Sequence, residues 1–295
     1  MARLPSFVVI GAMKSGTSSL ATYLGAHPGV TMSRPKEPNF FADPGNWDKG
    51  LDWYRELFPS DATIAGEATT RYTMSPLYVG AAERIHRIIP EARLIYLVRD
   101  PIERMRSMFV HQADKHQTSY RSLAEAIERD PTYLEISRYG TQVRPYLDLF
   151  EEGQILIFTT DELRDLPDAA MTRAFAHIGA DPNVCVSTSR FYNRGDDKKH
   201  LGQTGFALAK LIEATGLKNL VAPGVRRKIK HWFSDDFSRR ALEIDPSTER
   251  DLRTELGPDM AVIRDVALKS GAYIPPWLQD SNQVEDLSGR PVSPR

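Results

Sequence analysis

Three short runs of consecutive apolar residues occur along the chain, and each is followed by a glycine, a charged residue or a hydroxyl. They cover residues 7–10, 94–98 and 155–158. Apolar runs without polar alternation are typical of strands that are buried on both faces, as in a parallel sheet. We also predict a strand over residues 63–68, so the pattern indicates at least four strands.

Segments with apolar residues at helical spacing lie between and after these strands. The predicted helices cover residues 17–24, 76–89, 102–113, 123–128, 139–150 and 169–178. Strands that alternate with helices predict an α/β fold, in which a central parallel sheet is flanked by helices on both faces. Ligands of such sheets bind at the carboxyl ends of the strands, so candidate site residues are sought there.

The last third of the chain is predicted to be helical. The helical segments cover residues 206–214, 225–233, 248–256 and 260–269. The sequence contains no Gly/Ser-rich linker that would separate this part, so we predict a single domain over residues 1–279. Residues 280–295 are polar, contain Pro291 and Pro294, and are predicted to form a disordered tail.

Composition excludes several classes of protein. The 38 Lys and Arg residues balance 39 Asp and Glu residues to a net charge of −1, which argues against a general nucleic-acid binder. Cys185 is the only cysteine, so an intrachain disulfide and a cysteine-based zinc site are excluded. No apolar stretch approaches the ~20 residues of a membrane span, and we expect a cytoplasmic protein without a transmembrane segment.

A glycine-rich loop follows the first predicted strand and precedes the first predicted helix. It reads G-A-M-K-S-G-T-S-S-L from residue 11 to residue 20. Free N–H groups at a helix N-terminus, together with the helix dipole, favour an anion at such a loop. Lys14 adds a cation, and backbone and hydroxyl donors come from Ser15, Gly16, Thr17 and Ser18. The loop therefore predicts an anion site.

The loop departs from the signature of nucleoside-triphosphate-binding proteins. That signature, G-x-x-x-x-G-K-[ST], places lysine directly after the second glycine. Here Gly11 and Gly16 keep the spacing, but Thr17 follows the second glycine and Lys14 lies inside the loop. A nucleoside-triphosphate-dependent kinase therefore stays as an alternative that the lysine position disfavours.

A second anion site is predicted at the end of the 94–98 strand. Arg99 follows that strand, and Ser107 lies in the helix that begins near Pro101. A guanidinium offers fixed donors to phosphate oxygens, and a hydroxyl can complete the cradle. His111 lies one helical turn beyond Ser107, on the same face. None of the seven histidines forms a recognisable zinc motif, so we predict no metal site.

Several motifs in this order resemble the heparan-sulfate type of the sulfotransferases that use 3′-phosphoadenosine 5′-phosphosulfate (PAPS). Besides the glycine-rich loop they are R-P-K-E-P-N-F-F at 34–41, G-L-D-W-Y-R-E-L-F-P at 50–59, L-V-R-D-P at 97–101 and P-P-W-L at 275–278. The resemblance covers roughly residues 5–280. It implies a P-loop-like three-layer fold, a central parallel sheet between helices, with a helical C-terminal part.

The resemblance also implies roles for individual residues on the donor side. Lys14 would stabilise the departing 5′-phosphate, while Arg99 and Ser107 would hold the 3′-phosphate. Glu37 matches the catalytic carboxylate of the family, and His111 is the reserve candidate for the base. A basic loop that closes over the nucleotide would involve Tyr192, Arg194, Lys198 and Lys199, and the sequence does not choose among its basic residues.

On the acceptor side, the motif G-E-A-T-T-R-Y at 66–72 resembles the second acceptor motif of the family. It implies that Glu67, Arg71 and Tyr72 bind the acceptor. Heparan-type members carry lysine where this chain has Ala68, which leaves the acceptor open.

We therefore expect a sulfotransferase that moves a sulfuryl group from PAPS to a hydroxyl or amine. The acceptor would be a carbohydrate or another small molecule or lipid, adenosine 3′,5′-bisphosphate (PAP) would be the product, and no metal would be required. Besides the kinase, a non-catalytic nucleotide-binding module stays as an alternative. The oligomeric state is left open.

Overall fold

A computed structural model describes residues 4–59, 63–115, 117–188 and 240–279. A five-stranded sheet forms its centre, with strand order β2-β3-β1-β4-β5 and every neighbouring pair parallel. The strands are β1 (Phe7–Gly11), β2 (Val30–Met32), β3 (Ile64–Ala68), β4 (Arg93–Val98) and β5 (Ile155–Thr159). The four strands predicted from the sequence are confirmed, and β2 is an addition.

Helices occupy most of the connections between the strands. They are α1 (Thr17–Leu24), α2 (Pro44–Trp47), α3 (Gly50–Glu56), α4 (Ala81–Ile88), α5 (Pro101–Asp114), α6 (Leu123–Arg129), α7 (Thr132–Glu135), α8 (Tyr139–Leu149), α9 (Thr160–Asp165), α10 (Pro167–Ile178) and α11 (Pro246–Lys269). Short 3₁₀ helices cover Thr70–Thr73, Glu152–Gln154 and Pro276–Leu278. None of the described helices is long and apolar enough to cross a membrane.

The strands are buried on both faces because alternate residues of the apolar runs enter two separate cores. Val8 and Tyr96 pack on one face of the sheet with residues of α4 and α8. Val9 and Leu97 pack on the other face with residues of α1 and α10. The predicted three-layer arrangement, a parallel sheet between helices, is therefore confirmed.

Two compact units are distinguished within the chain. The first comprises the described residues up to Asp100, from Arg138 to 188 and from Glu255 to 279, and it contains the whole sheet. The second comprises the described residues of 101–137 and 240–254 and contains α5, α6 and α7. The single domain expected over residues 1–279 stays a prediction.

Two helix boundaries differ from the sequence prediction. The helix predicted over 76–89 begins only at Ala81, after Gly80 in the left-handed conformation at φ 79°. The helices predicted over 248–256 and 260–269 form one helix, α11, with Pro258 inside it. Proline removes one backbone donor but does not always end a helix. The helices predicted over 206–214 and 225–233, and the 280–295 tail, lie outside the described residues.

Candidate functional site

The glycine-rich loop joins β1 to α1 at the carboxyl edge of the sheet. Two of its residues adopt the left-handed conformation, Lys14 at φ 69° and Gly16 at φ 100°. Gly16 precedes α1, and within the described part of the chain no side chain caps the helix N-terminus with a hydrogen bond. The first-turn N–H groups of a helix have no partner within it, so this end of α1 presents donors of the kind that bind anions.

Two backbone positions of this loop are held by the neighbouring strands. The N–H of Ala12 donates to the carbonyl of Leu97 in β4 at 2.7 Å. The hydroxyl of Thr160, which directly follows β5, donates to the carbonyl of Ser15 at 2.6 Å. Ser15 is fully buried, and its own Oγ has no hydrogen-bond partner among the residues that the structure describes. The loop is therefore fixed against the ends of two strands, β4 and β5.

Gly11, the last residue of β1, packs closely against the 3₁₀ helix that follows β3. A Cβ at this position would lie 2.0 Å from Oγ1 of Thr73. That hydroxyl donates to the carbonyl of Ile10 at 3.0 Å. Glycine is therefore required here to admit the Thr73 side chain against β1.

Arg99 lies at the same edge of the sheet as the loop. It follows β4, the strand that pairs with β1, and it is half-buried. Because the carboxyl ends of parallel neighbours point the same way, Arg99 and the Lys14 loop lie at one edge of the sheet in the first unit. This is the arrangement in which two cations can serve one ligand.

Ser107 and His111 belong to the second unit, in α5. Both are half-buried and lie four positions apart, hence on one helix face. Within this unit α5 is fixed by Arg104, which is fully buried and donates to Oγ of Ser137 at 2.7 Å and to the carbonyl of Tyr133 at 2.6 Å. The roles predicted for Ser107 and His111 in holding the 3′-phosphate and in catalysis stay predictions.

Glu37 lies in a segment with unusual backbone geometry. Both Glu37 and Asn39 have left-handed φ angles, 56° and 54°. The Nδ2 group of Asn39 donates to the carbonyl of Glu37 at 2.7 Å, and Nδ2 of Asn46 donates to the carbonyl of Pro38 at 2.9 Å. Left-handed non-glycine residues are costly and persist only where surrounding contacts hold them, which is frequent at functional sites.

The carboxylate of Glu37 is accessible. Its side chain is 39% exposed, and its Oε1 forms an ion pair with Nζ of Lys36 at 2.9 Å. The two following aromatic residues, Phe40 and Phe41, are buried in the core, as the sequence predicts. The segment is thus anchored at its end while the carboxylate remains at the surface.

Glu67, by contrast, is fully buried at the end of β3. Its carboxylate accepts hydrogen bonds from the hydroxyls of Tyr54 at 2.5 Å, Thr69 at 2.7 Å and Tyr72 at 2.9 Å. Burial raises the pKa of Glu67 from 4.5 to about 7, although these three hydrogen bonds oppose the rise, and the charge of Glu37 raises it further.

Glu67 and Tyr72 are expected to contact an acceptor directly, but the structure buries both side chains. Tyr72 is only 3% exposed, and burial also raises its pKa. The two side chains are turned towards each other because the buried carboxylate needs hydroxyl donors. Arg71 alone of the three is partly exposed; it pairs with Asp43 at 3.4 Å and stacks over the ring of Tyr78.

Four predicted site residues, Tyr192, Arg194, Lys198 and Lys199, lie outside the described residues. Within the described ranges, no group of three or more His, Cys, Asp or Glu residues is arranged to hold a metal ion. Sequence reasoning missed Thr160 and Asn39, and only their positions beside a strand end and a predicted catalytic carboxylate could have drawn attention to them.

Comparison with known proteins identifies relatives along most of the chain. The sulfotransferase domain family model matches residues 4–194. The chain is 29% identical, over 97% of its length, to the human bifunctional heparan sulfate N-deacetylase/N-sulfotransferase 2, and it covers 32% of that protein. It is 31% identical, over 79% of its length, to the mouse heparan sulfate glucosamine 3-O-sulfotransferase 3B1, of which it covers 60%.

The fold has a counterpart among solved structures. A sulfotransferase from Alicyclobacillus acidocaldarius superposes with a TM-score of 0.67 and 21% sequence identity, covering 94% of this chain and all of the other. The chain spans about a third of the length of the bifunctional relatives it matches. Because the family model covers well over half of the sequence, the chain belongs to the sulfotransferase domain family.

Proposed function

We propose that this protein transfers a sulfuryl group from PAPS to a hydroxyl or amine of a carbohydrate acceptor. One observation carries the proposal: the Lys14 loop follows β1 and the Glu37 segment follows β2, so both lie beyond the carboxyl ends of strands of one parallel sheet, on either side of β3. The N–H of Ser33, which precedes the Glu37 segment, donates to the carbonyl of Gly66 in β3 at 2.9 Å. An anion site and a carboxylate therefore share one edge of the sheet.

The residues at this edge fit an adenosine nucleotide that carries two phosphate groups. One phosphate would receive donors from the N-terminus of α1, from Lys14 and from the Ser15 hydroxyl. Arg99, which follows β4, would supply a guanidinium for another phosphate, and guanidinium groups can bind phosphate in a bidentate manner. The resemblance assigns these two positions to the 5′- and 3′-phosphates.

In the proposed reaction, the bond between sulfur and the phosphate oxygen of PAPS breaks and a bond from sulfur to the acceptor heteroatom forms. Negative charge develops on the departing phosphate of PAP, which Lys14 and the α1 N-terminus stabilise. The acceptor loses its proton to Glu37, whose exposed carboxylate can meet a substrate. Protein groups thus position the leaving phosphate oxygen and the acceptor heteroatom, and they neutralise the developing charge, as in phosphoryl transfer.

The names of the matched relatives support a carbohydrate acceptor, since they denote N- and 3-O-sulfotransferases of heparan sulfate. Arg71 supplies a partly exposed cation at the end of β3, suited to an anionic sugar. Ala68 stands where the resembled enzymes carry lysine and is fully buried. We therefore propose the chemical class of the acceptor, a carbohydrate, without naming a particular molecule.

The test incubates the purified chain with PAPS and three acceptors: an N-deacetylated glucosamine-containing polysaccharide, a simple phenol and a long-chain alcohol. Mass spectrometry should detect the gain of one SO₃ on the polysaccharide together with release of PAP, and EDTA should leave the rate intact. Transfer to the phenol or alcohol alone would change the acceptor class. Phosphate transfer from ATP with Mg²⁺ would revive the kinase alternative, and tight PAP binding without transfer to any acceptor would support the non-catalytic module. The cytoplasmic location stays a prediction.

A further inference from the structure

The side chains around Glu67 form a connected path to the Glu37 segment. Tyr54 from α3 and Tyr72 from the 3₁₀ helix after β3 both donate to the Glu67 carboxylate. The ring of Tyr54 stacks on Phe40, with 4.3 Å between centroids and 8° between planes. The hydroxyl of Tyr72 accepts the N–H of Phe41 at 3.4 Å. Tyr54 therefore contacts both of the aromatic residues that end the Glu37 segment, and Tyr72 contacts Phe41.

The hydrogen-bond pattern of Tyr72 gives this path a direction. A tyrosine hydroxyl has one proton. Because that hydroxyl accepts from the N–H of Phe41, its own proton is available for Glu67, whose two carboxylate oxygens lie 2.9 and 3.1 Å from the Tyr72 hydroxyl oxygen. A charged carboxylate orients the hydroxyl so that its lone pair faces Phe41, whereas a neutral amide at position 67 would not impose that orientation.

We propose that Glu67 is a positioning residue that holds the Glu37 segment, through Tyr54 and Tyr72, in the conformation that presents Glu37 to the acceptor. This inference rests on the proposed function, because the proposed function gives Glu37 its role in proton transfer. It also accounts for a fully buried carboxylate that has no direct access to substrate. The left-handed backbone at Glu37 and Asn39 needs such external support to persist.

The electrostatic surroundings of Glu67 agree with this role. The titratable groups that interact with it are Tyr54 from α3, Tyr72 from the 3₁₀ helix, Tyr146 from α8 and Glu37 from the segment itself. The strand at its side, β1, contributes apolar residues there, with Val8 in register with Glu67. The Glu67 charge is therefore balanced by hydroxyl donors rather than by a cation among these groups, so its removal should affect hydroxyl orientation directly.

The first test measures amide hydrogen exchange of residues 37–41 in the full chain by mass spectrometry. Glu67→Gln and Tyr72→Phe should each speed exchange there by roughly fivefold or more, the effect of losing one hydrogen bond. The matched control is Glu162→Gln, which removes another buried carboxylate, one that contacts Arg173 instead. It should leave exchange at 37–41 unchanged. Unchanged exchange in Glu67→Gln and Tyr72→Phe would overturn the proposal. If Glu67→Gln does not fold, Tyr72→Phe decides alone.

The second test separates positioning from general damage by kinetics with PAPS and the acceptor that reacts fastest. Glu67→Gln should lower kcat by roughly tenfold while KM for PAPS stays within about twofold. In a Glu37→Gln background the same change should cost no further activity, because it acts through Glu37. Additive losses would overturn the proposal. An inactive wild-type chain would contradict the proposed function instead, and the exchange result would still decide whether Glu67 holds the segment.

Discussion

The hydroxyl of Thr160 donates to the carbonyl of Ser15 at 2.6 Å and lies 3.1 Å from the carbonyl of Val98. Thr160 is the first residue of α9, directly after β5, whereas Ser15 belongs to the loop after β1. β4 lies between these two strands in the sheet. One threonine side chain therefore links the glycine-rich loop to the ends of two strands.

Replacing Thr160 with valine should loosen this loop without removing any group that contacts the nucleotide. Valine keeps the branched shape but lacks the donor, so we expect PAP to bind roughly five- to tenfold more weakly. Isothermal titration calorimetry measures the change. Thr254→Val is the matched control, since that exposed hydroxyl donates to the carbonyl of Arg250 within α11. Equal affinities of Thr160→Val and wild type would show that the link is dispensable.

Lys14→Ala should impair donor binding directly. Loss of a charge-assisted contact with phosphate is expected to weaken PAP binding by roughly 10- to 100-fold. The control Lys269→Ala removes an exposed lysine that pairs with Glu152 and should change affinity by less than about twofold. The same titrations on Arg99→Ala test the second predicted cation. If Lys14→Ala bound PAP as tightly as wild type does, Lys14 would not be part of the donor site.

Glu37→Gln should separate binding from chemistry. The amide keeps the size of the side chain but cannot take the acceptor proton, so we expect transfer to fall by roughly 100-fold or more while PAP affinity stays within about twofold. Glu56→Gln, on the exposed surface of α3, serves as the control. Full activity of Glu37→Gln would reassign the base to His111.

Stability should fall as the pH rises through neutrality because of Glu67. Its pKa is about 7 in the folded chain against 4.5 ordinarily, so the folded state binds the proton more tightly. The resulting stabilisation is complete below about pH 4.5 and is lost as the pH rises to about 7, by roughly 3 kcal/mol. Chemical denaturation measures the free energy of unfolding of wild type and of Glu67→Gln across this pH range. The loss of about 3 kcal/mol should occur in wild type and not in Glu67→Gln. Parallel curves for the two proteins would contradict the assignment.

Catalysis should follow the opposite trend across the same pH range. The positioning role needs the charged carboxylate, so the kcat advantage of wild type over Glu67→Gln should grow as the pH rises from about 6 to about 8. Rate profiles of the two proteins with PAPS measure this ratio. A ratio that is constant with pH would show that the charge of Glu67 does not contribute.

The local sequence predicts the sheet well because its strands are apolar without interruption. β1, β4 and β5 are such runs, and the loop after β1 carries its glycine and lysine in contiguous sequence. β2 escaped prediction because it has only three residues, of which Val30 alone is buried. Pairing with β3, and not its own pattern, makes it a strand.

The site was predictable only as far as its residues are contiguous. A glutamate at a strand end suggests a ligand-binding side chain, yet Glu67 is buried because hydroxyls from positions 54, 69 and 72 converge on it. Likewise Thr160 is 145 positions from Ser15. Such convergence follows from the packing of the sheet and cannot be derived from spacing along the chain.

The most direct test of the account is a calorimetric titration of the wild-type chain with PAP. We expect saturable binding at one site per chain, competed by PAPS and not by ATP with Mg²⁺, and lost together with sulfuryl transfer in Lys14→Ala. A wild-type chain that shows no binding of PAP at millimolar concentration would contradict the donor site and the transfer reaction built on it.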